Sequence, residues 1–574
     1  MQLYEKFVSR GRDDFATLED LMKNYKVNVN EGFNFAYDCL DVLAKETPDA
    51  LALLWVSSDQ TEKRFTFADI SKLSNQIANY LTSIGIKRGD LVMLIMRCDW
   101  RFWPTYMALH KMGAVAVPAT VQLTMKDMVY RFNTAEIDAV IATSLLNVPD
   151  TIDKALPECP AVKIKATFGA DIPDRAGALP GNAGGAPPCP PGWLDFDAGV
   201  EAASDVFERL PNKNDDMMLM AFSSGTTGYP KMVWHDYTYP LGHIMTGCFW
   251  HRCEDGGLHY AIADTGWLKV MWGNMYGQWL SGCAIFIYDF ERFNAADILS
   301  KMTKYKVTSF CAPPTMLRFM IKEDMASYDL TALKHCVTAG EALNPEVYKE
   351  WLKQTGCKIF EGFGQSETTI CCLTVYPWMQ PRLGSMGVPA PGYRMIVADE
   401  EGNEVGAGVT GEICIRTDEE GGGKPFGMFR GYYKDDEMTK SVWHNDLYHT
   451  GDTAYRDEMG FLWYVGRTDD VIKSSGYRIG PFEVESALME HKAVLVCAVT
   501  GIPDPVRGFA VKATIVLNEG FEPSDALTKE LQAHVKNVTP PYKYPRVIDY
   551  VDSLPRTISG KIRRVEIRER DNKK

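Results

Sequence analysis

None of the 14 cysteines belongs to a Cys-x-x-Cys pair, and their spacing follows no period. Zinc sites and disulfide frameworks need regular spacings, so reduced thiols in a reducing compartment are expected. The N-terminal residues are mixed and charged. They lack the apolar run of roughly 7–15 residues that marks a secretory leader. No apolar stretch reaches the roughly 18 residues needed to span a bilayer. These absences make a cytoplasmic protein with no integral membrane segment the expectation. A net positive charge is missing too: 61 Lys and Arg against 75 Asp and Glu leave −14. That excludes a broad nucleic-acid surface, which needs a basic face, but leaves room for a small basic pocket that holds phosphates. No internal repeat is present.

What is there is ordinary globular composition, 574 residues with 46% hydrophobic and 24% charged. Single cores stop growing at about 250–300 residues, so two or more units are expected. Helix-period and strand-like segments alternate: 67–84 reads as an amphipathic helix, 91–96 as a buried strand, 100–112 as a helix and 114–119 as a strand. The alternation returns over 283–361, where Asn344 then Pro345 supplies an N-cap and a first-turn proline. Such alternation implies parallel sheets covered by helices. Residues 176–192, rich in Gly, Pro and Ala, read as an irregular loop. Short strands and turns past residue 392 point to an antiparallel, barrel-like subregion, and a smaller α+β unit begins near 470.

The sharpest local signal is Ser223-Ser224-Gly225-Thr226-Thr227-Gly228-Tyr229-Pro230-Lys231, which follows the apolar segment 217–222. Small residues let backbone N–H groups approach an anion, and hydroxyls and a lysine add donors; this is phosphate-cradle chemistry. It is not a Walker A loop, because the Gly-Lys-Ser/Thr ending is missing and Pro230 stands where the second glycine belongs. A Ser/Gly/Thr loop alone could equally be a polar connection from strand to helix; the proline and lysine make this one more specific.

The string resembles the ATP-phosphate loop of the adenylate-forming superfamily, which includes acyl-CoA synthetases, peptide-synthetase adenylation domains and luciferases. Further strings match in order: Ala339-Gly340-Glu341-Ala342, Phe363-Gly364-Gln365-Ser366-Glu367-Thr368, Tyr448-His449-Thr450-Gly451-Asp452, Gly466-Arg467-Thr468-Asp469-Asp470, Ser475-Gly476-Tyr477-Arg478-Ile479-Gly480 and Ser559-Gly560-Lys561. Ser223 stands where the superfamily commonly has Thr, and keeps the hydroxyl. Phe33-Asn34-Phe35-Ala36, Asp264-Thr265-Gly266-Trp267, Asp504-Pro505-Val506-Arg507-Gly508 and Pro541-Tyr542-Lys543-Tyr544-Pro545 resemble medium-chain acyl-CoA synthetases in particular.

The resemblance implies an α/β fold. A large N-terminal domain, 1–468, has parallel-rich sheets flanked by helices plus a β-barrel-like subdomain; a small mobile α+β C-terminal domain, 469–574, is hinged at Asp469. It implies that a carboxylic acid and ATP give acyl-AMP and pyrophosphate, and that acyl-AMP and coenzyme A then give acyl-CoA and AMP. ATP, Mg²⁺ and coenzyme A are the cofactors, the partners are small molecules, and the chain is a monomer or homodimer. Two anions meet in the first step, so charge neutralisation and alignment dominate it. By resemblance, 223–231 hold the β- and γ-phosphates, with Thr226 and Glu367 on Mg²⁺, a hard cation that prefers oxygen ligands. Asp452, acceptor-only, takes both ribose hydroxyls, with Arg467 in support. Gly340, Glu341, Ala342, Glu361 and Gly362 wall the adenine, and Phe363, Gly364, Gln365, Ser366, Thr368 and Arg478 complete the ATP site. Lys561 bridges the α-phosphate and the incoming carboxylate, and forms the catalytic set with Glu367 and Thr226.

By the same resemblance, Gly476 would line the pantetheine tunnel for coenzyme A beside Ser475 and Tyr477, and Arg507, Lys536 and Tyr544 would grip the nucleotide end. Trp267, Gly340, Gly364 and Thr368 line the acyl pocket. His235 either borders that pocket or caps a helix after the phosphate loop. Gly364 stands where acetate-specific relatives carry a Trp that closes the pocket, so the acid is expected to be longer than propionate: medium-chain, branched or aromatic. The competing reading is an amino-acid adenylation enzyme that loads a carrier protein, with Asp264 pairing the substrate ammonium. A non-catalytic nucleotide-binding scaffold is the other alternative, and the presence of Lys561 and Glu367 argues against it.

Overall fold

A computed structural model describes residues 2–169, 189–223, 230–341, 343–418, 423–475, 477–556 and 562–572. Among these, the alternating segments assemble into three sheets. The largest has 14 strands. Its parallel half runs through Leu51–Ser57, Ala284–Asp289, Leu258–Ala261, Ser309–Cys311, His335–Ala339 and Ile359–Gly364. Every residue of Ala284–Asp289 and His335–Ala339 is buried, as in a sheet covered on both faces. At Ile359–Gly364 the direction reverses: Ile370–Leu373 pairs antiparallel to it, and Ser385–Pro389, Leu462–Arg467, Leu447–Arg456, Thr410–Arg416 and Arg394–Ala398 follow in antiparallel order. The antiparallel subregion past residue 392 is thus hydrogen-bonded to the large sheet.

The second sheet has 8 strands and carries Leu91–Ile95, Val115–Pro118, Ala139–Thr143 and Met217–Ser223 in parallel. Met217–Ser223 then turns back antiparallel into Lys231–Asp236, with Ser223 opposite Lys231. The segment after the phosphate loop is therefore a strand and not the expected helix, and His235 caps no helix. The pairing with Met217–Ser223 decides it, and helix begins only at Tyr239–Ile244, with Pro240 in its first turn. The third sheet, of 5 strands, is built from residues 472–550; the helices Pro481–Met489 and Asp525–Val538 cover it through Val484, Leu488, Leu531 and Val535.

Local signals position these elements. Thr66 caps Phe67–Ser83 through a reciprocal box with Asp69. Asn344 accepts the Glu346 N–H at the start of Pro345–Thr355. The 14 cysteines are free thiols. No helix of the described residues is long and apolar enough to cross a membrane. Most of the 176–192 loop lies outside the described residues.

Candidate active site

The parallel strands of the large sheet end, at Gly340 and Gly364, against a cavity of about 1920 Å³. Carboxyl ends of parallel strands are where open α/β sheets bind ligands. Single-ligand pockets run to about 300–1,000 Å³, so this one has room for two reactants together. Ser223 and Lys231, the two ends of the phosphate loop, lie on its wall. Ser224, Gly225, Thr226, Thr227, Gly228 and Tyr229 between them lie outside the described residues; Pro230 is described and is not on the wall.

Residues 365–369 join the antiparallel hairpin of Ile359–Gly364 and Ile370–Leu373, and each is tied down. The Thr368 hydroxyl accepts the Gln365 N–H at 3.0 Å. His235 Nε2 donates to the Ser366 carbonyl at 2.8 Å, and the Phe429 N–H donates to the Glu367 carbonyl at 2.8 Å. Burial holds the His235 imidazole down at about 4, so it stays neutral and acts as this tether. The Tyr432 hydroxyl donates to Glu367 Oε1 at 2.9 Å.

Asp452 and Arg467 face each other across paired strands. The Asp452 carboxylate accepts Gln365 Nε2 at 2.6 Å, the Tyr464 hydroxyl at 3.2 Å and Arg467 Nη1 at 3.3 Å. Gln365 Oε1 in turn accepts the Tyr448 hydroxyl at 2.8 Å. Gly451, at φ 69°, gives its N–H to Glu412 Oε1 at 2.8 Å, and a Cβ there would meet Arg467 Nη2 at 2.7 Å.

Gly340 follows its strand at φ 99°, and Glu341 accepts the Thr315 hydroxyl at 2.7 Å. The Glu361 carboxyl, buried beside Gly362, is pushed up to about 8 by its burial and accepts the Leu343 N–H at 3.3 Å. Ala342 lies outside the described residues. Phe363, Trp267 and Thr368 also line the cavity.

Gly364 is on the wall, but for a reason other than an open slot. A Cβ there would stand 2.3 Å from the Thr369 carbonyl oxygen, and its φ is not positive. Glycine is required by the close approach of backbone across the hairpin bulge, so its presence says nothing about the length of the acid. Asp264 lines the cavity as well; burial raises its carboxyl, which accepts the Gly266 N–H at 2.7 Å.

From the other side the cavity is closed by Arg556, Ile562, Arg563 and Arg564. Arg556 and Ile562 pair as an isolated β-bridge. They bracket Lys561, which lies outside the described residues, so both anchors of its segment stand on the cavity wall.

The sequence matches the AMP-binding enzyme family over residues 40–433 and that family's C-terminal domain over 483–561. This chain belongs to the AMP-binding enzyme family. The family member is similar to acyl-coenzyme A synthetase ACSM3, mitochondrial, of Mus musculus, 36% identical over 99% of this chain and 96% of that one. It is similar to acyl-coenzyme A synthetase ACSM5, mitochondrial, of Homo sapiens, 38% identical over 95% and 91% of the two chains. Among solved structures it resembles the anthranilate CoA ligase AuaEII in complex with anthranoyl-AMP, with a TM-score of 0.83, 27% identity and coverage of 95% and 98%. It also resembles a Brucella canis acyl-CoA synthetase, with a TM-score of 0.71, 32% identity and coverage of 97% and 99%.

These relatives overturn the expectation of a cytoplasmic protein, because the similar ACSM3, ACSM4 and ACSM5 enzymes are mitochondrial. The physical reason is plain: a mitochondrial targeting segment is amphipathic and basic, so a missing apolar leader carries no information about that compartment.

Of the residues that the resemblance assigns to coenzyme A in this AMP-binding enzyme, the described ones, Ser475, Tyr477, Arg507, Lys536 and Tyr544, are not on the cavity wall. Ser475, at φ 50°, gives its N–H to the Arg507 carbonyl at 2.9 Å. Tyr477 stacks on Tyr542 with centroids 4.2 Å apart. Arg478, expected in the ATP site, is not on the cavity wall either and pairs with Glu400 at 2.6 Å. The Lys536 ammonium lies 4.0 Å from the centre of the Tyr544 ring, and Arg546, which the sequence reading missed, donates to the Tyr544 hydroxyl at 2.6 Å. Gly476 lies outside the described residues; Asp469 lines the cavity, 3.8 Å from Arg467. Tyr432 and Tyr464 were missed as well, because nothing in the sequence separates them from other strand aromatics.

Proposed function

We propose that the cavity carries both half-reactions of an AMP-forming acyl-CoA synthetase, with the acid a medium-chain, branched or aromatic one. The protein is an ATP-dependent acid–CoA ligase. In the first step a carboxylate oxygen attacks the α-phosphorus of ATP, and pyrophosphate leaves with the bridging electron pair. In the second the coenzyme A thiolate attacks the acyl carbon, and AMP leaves. The observation that carries this reading is convergence: the phosphate-loop ends, Glu367, Asp452 and both anchors of the Lys561 segment share one cavity.

Each residue then has a task. Asp452 and Arg467 orient the ribose; the donors already on Asp452 hold its carboxylate in place. Lys231 and the loop residues before it receive the phosphates. Glu367 fits Mg²⁺: its Oε1 takes the Tyr432 hydroxyl, while Oε2 takes no donor among the described residues and is left as a hard oxygen ligand. Bound there, the cation offsets phosphate charge. Lys561 neutralises charge between carboxylate and α-phosphate in the first step. Asp469 is the hinge about which 469–574 turn, so that Ser475, Gly476 and Tyr477, with the cations Arg507 and Lys536 and the ring of Tyr544, can serve the thioester step.

The carrier-loading alternative would set Asp264, which lines the cavity and whose carboxyl is raised by burial, against the substrate ammonium. Acid-dependent exchange of labelled pyrophosphate into ATP, without coenzyme A, tests the reading. Hexanoate, 2-methylbutyrate or benzoate should support exchange. Exchange with amino acids alone would instead favour the carrier-loading enzyme.

A further inference from the structure

Two arms of the phosphate site meet on one side chain that neither motif contains. The short strand Gly431–Tyr432 pairs with Trp234 and Val233, so it is fastened to the strand leaving the phosphate loop. The Tyr432 ring is 4% exposed. On one side its hydroxyl donates to Glu367 Oε1 at 2.9 Å; on the other the Lys231 ammonium rests 5.0 Å from the ring centre. Lys231 makes no ion pair among the described residues; its ammonium rests on the Tyr432 ring while Glu367 Oε1 takes the Tyr432 hydroxyl.

We propose that Tyr432 is a positioning residue for the metal–ATP complex. It fixes the Glu367 carboxylate by one oxygen, leaves the other for the cation, and keeps Lys231 free for phosphate. This rests on the reading of Glu367 as the Mg²⁺ carboxylate. Partners that orient a metal ligand typically change affinity by about 10–100-fold when lost.

Tyr432→Phe keeps the ring and the Lys231 contact and removes only the donor. Equilibrium dialysis of Mn²⁺ with ATP should show roughly 10-fold weaker binding of the pair. Binding of metal-free ATP, the KM for the acid and thioester formation from supplied acyl-AMP should be unchanged. Tyr432→Leu, which also removes the ring, should in addition weaken metal-free ATP. Unchanged Mn²⁺–ATP binding in Tyr432→Phe overturns the proposal, as does equal weakening of ATP with and without metal, which is the mark of a packing residue. A wild-type protein that binds ATP no better with Mn²⁺ overturns both this proposal and the role of Glu367. A wild-type protein that binds Mn²⁺–ATP but exchanges no pyrophosphate overturns the functional reading alone.

Discussion

Glu361 is the residue whose chemistry depends most on its setting. Its carboxyl, ordinarily near 4.5, is pushed up to about 8 by burial in the cavity wall. An acid with a raised folded pKa takes up a proton on folding. Its contribution is therefore fully present below about pH 4.5 and lost as pH rises through 8. Glu361→Gln is neutral at every pH and can still accept the Leu343 N–H. Its thermal midpoint should lie near that of the wild type at pH 5 and above it at pH 9; a constant difference across that range would contradict the buried, protonated carboxyl. Gly364 makes the complementary point. Its string was legible as a motif, but a glycine read as empty space requires knowing what stands beside it, and here that is the Thr369 carbonyl at 2.3 Å. Both Gly364→Ala and Gly364→Trp should lower the thermal midpoint and reduce activity with short and long acids alike. Retention of acetate use by the Trp variant, with the Ala variant mild, would restore the pocket-stopper reading.

At the scale of elements, periodicity and caps placed most segments, because burial on a covered sheet or an amphipathic face leaves a mark in one stretch of sequence. Residues 67–84 and the Asn344-Pro345 start became Phe67–Ser83 and Pro345–Thr355. The failure came after the phosphate loop. A strand–loop–strand hairpin and a strand–loop–helix unit share the same glycine-rich connection, and only the pairing of Met217–Ser223 with Lys231–Asp236 decides between them. That pairing puts His235 under the Ser366 carbonyl. His235→Ala should leave this buried acceptor without its donor, at a cost of about 1–3 kcal/mol. Measured kinetics should show a higher KM for ATP with the KM for the acid unchanged. If instead the KM for the acid rises alone, His235 borders the acyl site.

At the scale of the whole molecule, the order of motifs along the chain announced the reaction, but their meeting place was not written in any of them. The cavity joins residues from 97 to 569, separated in sequence and brought together by sheet order. The two faces in contact here are held in part by weak links, Arg318 Nη1 on the Leu495 carbonyl at 3.4 Å and the exposed Arg478–Glu400 pair. Exposed pairs contribute only about 0–1 kcal/mol, so these contacts offer little resistance to the rotation proposed above. Lys561→Ala should therefore reduce acyl-AMP formation by several orders of magnitude and leave thioester formation from supplied acyl-AMP nearly intact; equal loss of both steps would tie Lys561 to the fold and not to the first transition state.

The most direct test of the account is a product balance with one acid such as hexanoate, ATP, Mg²⁺ and coenzyme A. AMP, pyrophosphate and acyl-CoA should appear in equal amounts, and omission of the acid should stop all three. Release of ADP and phosphate, or AMP formed without a thioester while coenzyme A is present, would contradict it.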